Sequence, residues 1–64
     1  MSWKDAKNEA TAWLANLGLP PDLKGQEIDV DAMTKDLPQK GRFREMVARA
    51  IARQLKARGA KIKQ

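Results

Sequence analysis

Arg42, Arg49, Arg53 and Lys56 recur at intervals of seven, four and three residues. On an α-helix those intervals return to one side, so the four cations share a wedge roughly 60° wide. A regular row of guanidinium and ammonium groups suits the neutralisation of phosphates. Each cation that displaces a condensed counterion adds affinity without reading base sequence. A basic helix entering the major groove also lets Arg hold guanine through two hydrogen bonds. Arg58 and Lys61 carry the charge past the last turn, so the candidate nucleic-acid-binding set is Arg42, Arg49, Arg53, Lys56, Arg58 and Lys61. The row has a cost. Arg49–Arg53 and Arg53–Lys56 are like-charge neighbours, each unfavourable by about 0.2–0.5 kcal/mol in an isolated helix, and only Glu45 offers relief at the right spacing.

Other chemistries have poor material. Glu27, Asp29 and Asp31 alternate as calcium ligands do, but a calcium loop needs Gly at its sixth position and Glu at its twelfth. Counted from Glu27 those positions are Ala32 and Pro38, and from Asp29 they are Thr34 and Lys40. The chain has no cysteine and no histidine, which removes disulfides and the usual zinc ligands. Ser2, Thr11 and Thr34 are the only hydroxyl nucleophiles, with no imidazole to activate them. Gly18, Gly25, Gly41 and Gly59 stand apart rather than forming a phosphate loop. The expectation is a protein without catalytic residues, metal or cofactor.

Three helices are expected to position the cations. Ser2-Trp3-Lys4-Asp5 has the form of a capping box opening a helix over residues 2–17. Trp3, Ala6, Ala10, Trp13, Leu14 and Leu17 form its apolar stripe, and Gly18-Leu19-Pro20-Pro21 stops it. Glu27 to Asp31 alternates like a strand, yet a lone strand leaves backbone donors unsatisfied. Asp29 is therefore read as the N-cap of a short helix from Val30 to Leu37, ended by Pro38. The third helix runs from Gly41 to Arg58 with Gly59 as its stop. The fold class this implies is all-α, a small three-helix domain over residues 1–59 followed by a flexible basic tail over 60–64. Its expected core is Trp3, Trp13, Leu14, Leu17, Leu19, Leu23, Val30, Met33, Leu37, Phe43, Met46, Val47, Ile51 and Leu55.

Bulk properties agree with a small binding protein. A chain of 64 residues forms one domain, and its single apolar core supplies only about 3–5 kcal/mol. Up to Gln39 there are four basic and seven acidic residues, a net −3; from Lys40 onward nine basic residues oppose Glu45 alone, a net +8. That asymmetry points to a polyanion, DNA in preference to RNA, or to an acidic protein surface. Opposed halves could also pair head to tail in a homo-oligomer, and a protein-binding module (inhibitor, adaptor or assembly factor) is the alternative function. A basic amphipathic segment also suits an anionic lipid surface. The sequence shows no signal-peptide pattern and no transmembrane segment, so a cytoplasmic location is expected.

Trp13-Leu14-x-x-Leu17-Gly18-Leu19-Pro20, then Glu27-Ile28-Asp29 and Gly41-Arg42 entering the final helix, resembles a sterile-alpha-motif domain over about half of the chain. Those domains are helical modules of protein association, and some bind RNA. Here the interval from Asp29 to Gly41 is about two helical turns too short and lacks the leucine-rich middle segment, so no family is assigned.

Overall fold

The computed structural model of the chain describes residues 2–63. Helix α1 spans Trp3–Leu17, strand β1 Glu27–Asp29, helix α2 Val30–Met33, helix α3 Gly41–Ala57 and strand β2 Lys61–Lys63. Helix makes up 58% of the structure, but the two strands pair, which corrects the all-α expectation to a mostly helical fold with a small parallel sheet.

Helix α1 starts and stops as its sequence dictates. The Ser2 hydroxyl accepts from the Asp5 N–H and the Asp5 carboxylate accepts from the Ser2 N–H, both at 3.2 Å, completing the capping box. Gly18 ends the helix in the left-handed conformation and donates to the Ala15 carbonyl at 3.3 Å. The helix packs on α3, and Ala6, Ala10 and Ala50 are buried there together with the larger Leu14, Val47, Ile51 and Leu55. Gln54 reaches across and donates to the Lys7 carbonyl and the Thr11 hydroxyl.

Helix α2 is shorter than expected. Asp29 caps it, accepting from the Ala32 N–H at 3.2 Å, but regular helix ends at Met33 and turns follow through Asp36. Two features stop it. The Thr34 hydroxyl bonds back to the Val30 carbonyl at 2.7 Å, and Leu37 precedes Pro38, which disfavours helical geometry. The helical partner of the Thr34 carbonyl would be Pro38, which has no N–H. That carbonyl accepts instead from the Leu37 N–H at 3.1 Å, and Arg44 of α3 adds donors to the carbonyls of Thr34, Lys35 and Leu37 at 3.1, 2.9 and 3.2 Å.

The C-terminal end of α3 is closed by both bonds of a Schellman motif: Gly59 N–H to Lys56 O at 2.9 Å and Ala60 N–H to Leu55 O at 3.1 Å. Gly59 has φ +99°, and a Cβ there would stand 3.0 Å from the Lys24 Cα, so a side chain is excluded twice over. The reversal sends the chain into β2, which runs parallel to β1 with Ile28 opposite Ile62. Both isoleucines are half-buried against the core. Glu27 pairs in register with Lys61, and Asp29 with Lys63, on the exposed face.

Residues 60–63 are therefore part of the domain and not a flexible tail; Gln64 lies outside the described residues. Glu27–Asp29 does have a partner strand, 34 positions further on, a pairing that no local pattern announces. The buried core comprises Ala6, Ala10, Leu14, Leu23, Val30, Leu37, Val47, Ala50, Ile51, Leu55 and Ala60. Trp3, Trp13, Leu19, Met33, Phe43 and Met46 pack around it half-buried, a rim in place of the fully buried centre expected of them. Leu17 shares the α1 stripe but lies in the last turn, beyond the Gln54 contacts that join the helices, and is 45% exposed.

Candidate nucleic-acid interface

Helix α3 divides its residues between two sides. Val47, Ala50, Ile51 and Leu55 are buried, and at 100° per residue the opposite side carries Arg42, Arg49, Arg53 and Lys56, all exposed. The cations are held to that side because the core fills the other. Among the described residues none of the four makes a side-chain hydrogen bond or ion pair to a carboxylate, and Arg42, Arg49 and Lys56 are left to solvent.

The remaining sequence-predicted site residues are placed elsewhere. Arg58 is half-buried at the α3 C-cap, where its carbonyl accepts from the Leu23 N–H at 2.8 Å, and its backbone thus anchors the loop after α1. Lys61 is in β2 opposite Glu27, and its N–H donates to the Gln26 carbonyl at 2.7 Å. Lys61 is exposed, but it stands in β2 beside a strand that carries Glu27 and Asp29, away from the row on α3.

One residue outside the expected set joins the row. Trp3, at the start of α1, lies beside the second half of α3, and the Arg53 guanidinium stands over its ring at 5.5 Å from the centroid. An open groove of about 610 Å³ is lined by Trp3, Arg49, Ala52, Arg53 and Lys56. A smaller one of about 190 Å³ adjoins it, lined by Trp3, Lys7, Ala50, Arg53, Gln54 and Ala57. The Trp3–Arg53 stack borders both. The sequence signal was present but ambiguous: Trp3 lies on the apolar stripe of α1, where an aromatic is expected to be core. Its place in the first turn is what leaves it at the rim.

Three of the eight acidic residues have structural employment. Asp5 and Asp29 cap helices, and Asp22 accepts from the Lys24 N–H at 2.9 Å. Glu27, Asp29 and Asp31 do not gather into a metal-holding cluster among the described residues. No helix among the described residues is long and apolar enough to cross a membrane.

Comparison with protein-family models, curated proteins and solved structures finds no match. The function must therefore be argued from the chain's own geometry.

Proposed function

We propose that the protein binds nucleic acid through the exposed face of α3, with Arg42, Arg49, Arg53 and Lys56 set against backbone phosphates. One observation carries the reading: these four cations share the side of α3 turned away from the core, and no hydrogen bond among the described residues ties them to a carboxylate. The domain's stability does not call for that arrangement, since like charges at these spacings oppose the helix. Phosphates at the regular spacing of a nucleic-acid backbone would relieve the repulsion and release counterions. Phosphate contacts alone do not separate DNA from RNA, so both belong in the test. A cytoplasmic location, where nucleic acid is at hand, goes with this proposal.

The test is fluorescence anisotropy of labelled single-stranded and duplex oligonucleotides titrated with the protein over a range of salt. Four phosphate contacts give log–log slopes of about −3 for single strands and about −3.5 for duplex. Absence of binding to every oligonucleotide at low salt would overturn the proposal.

A further inference from the structure

The cationic row could serve any polyanion, but the groove beside it is more selective. It combines three cations, an aromatic ring and an alanine floor in an open volume of about 610 Å³, within the size range of sites for small organic ligands. A duplex keeps its bases stacked inside and offers a helix face only phosphates and groove edges. A single strand offers unstacked bases, and proteins hold these on aromatic side chains flanked by a basic track.

We infer that the Trp3 groove receives a base of single-stranded nucleic acid against the indole, with the flanking phosphates on Arg49 and Lys56. The inference rests on the proposed phosphate-binding role of α3 and names its substrate class. Arg53 over the Trp3 ring fixes the indole at the groove wall by cation–π attraction. Ala52 leaves room on the floor where a longer side chain would fill the space. The smaller groove, which shares Trp3 and Arg53 with the larger, carries the basic track onto α1 through Lys7. A flexible strand bends across both grooves. A stiff duplex keeps its bases stacked and does not enter them.

The test reads Trp3 directly. In a Trp13→Phe variant, Trp3 is the sole indole, and its emission is followed during titration with oligothymidylate, oligouridylate, a short duplex and linear polyphosphate as a base-free polyanion. Quenching by the two single strands, with little change on adding duplex or polyphosphate, is expected. The oligothymidylate and oligouridylate arms show whether DNA or RNA is preferred. Trp3→Ala should weaken single-strand binding roughly 5- to 150-fold, the size of one lost base–aromatic stack, while leaving the salt slope unchanged. Trp3→Phe should restore most of the affinity.

Equal quenching by polyphosphate would overturn the inference, because Trp3 would then report only displacement of Arg53. Salt-dependent binding unchanged in a folded Trp3→Ala variant would also overturn it while leaving the α3 proposal intact. Should Trp3→Ala unfold, the contrast between oligonucleotide and polyphosphate in the Trp13→Phe protein decides. A blue-shifted response to anionic phosphatidylserine vesicles, with none to single strands, would assign Trp3 to a lipid surface and overturn the inference. Failure of every polyanion to bind removes the α3 proposal and this one together.

Discussion

Two groups of cations occupy the same C-terminal third of the chain and are put to opposite uses. Arg44, Lys61 and Lys63 are tied into the fold: Arg44 gives three donors to carbonyls beyond α2, and the two lysines stand in β2, in register with Glu27 and Asp29 of β1. Arg42, Arg49, Arg53 and Lys56 face water from the side of α3 that the core leaves bare. The difference teaches that net charge is a poor guide to a binding surface. A cation's use is set by which side of its element it occupies and by what the neighbouring element lacks. Arg44 is on the flank of α3 toward α2, where carbonyls without helical partners need donors. Arg42, two residues earlier, is exposed and makes no side-chain hydrogen bond among the described residues.

The largest expected effect sharpens that contrast. Reversing Arg49 and Arg53 together to Glu should weaken nucleic-acid binding at least about 100-fold, since two contacts are lost and two repulsions gained. The melting temperature should stay near that of the unaltered protein. Anisotropy and circular dichroism on the same sample check both halves, and a collapse of the fold would break the division between the two groups.

Arg44→Ala should show the converse. Losing a charged donor to three carbonyls, part of them shielded from water, costs about 2–3 kcal/mol of stability, read by urea unfolding. Oligonucleotide affinity measured well below the unfolding transition should be unchanged. A large loss of affinity in the folded variant would move Arg44 into the binding group.

Gly59→Ala tests the reversal that brings Lys61 and Lys63 to the sheet. A side chain at φ +99° with 3.0 Å to the Lys24 Cα is expected to cost about 2 kcal/mol. Unfolding by urea would measure it, and a neutral result would contradict the close approach of the two loops.

The smallest effect is expected from Lys61→Ala. One exposed cross-strand pair is worth about 0.2–1 kcal/mol, and removing it should shift oligonucleotide affinity far less than Arg49→Ala does. The salt slope separates them: Arg49→Ala should lower its magnitude by about 0.7–0.9, and Lys61→Ala should leave it unaltered. Equal slopes would return Lys61 to the binding face.

Much of the local structure was legible in the amino-acid order because its causes are local. The Ser2–Asp5 box, the Gly18 stop, Asp29 as a cap, the Gly59 stop and the cationic wedge of α3 all depend on residues within a few positions of one another. So does the burial of Leu14, Val47, Ile51 and Leu55, which follows from helical period. What only the tertiary structure decided were relations across long stretches of chain. Ile28 and Ile62 find each other because α2 and α3 bring β2 back beside β1, turning an expected tail into a strand. Alanines 6, 10 and 50 outrank the tryptophans in burial because of where each residue lies in the packing, at its centre or at its rim, and not because of its size. Trp3 meets Arg53 at that rim, and hydrophobic patterning cannot tell a rim from a centre. Periodicity states which side of a helix is apolar; the angle and length of the partner packed on it decide how much of that side water still reaches.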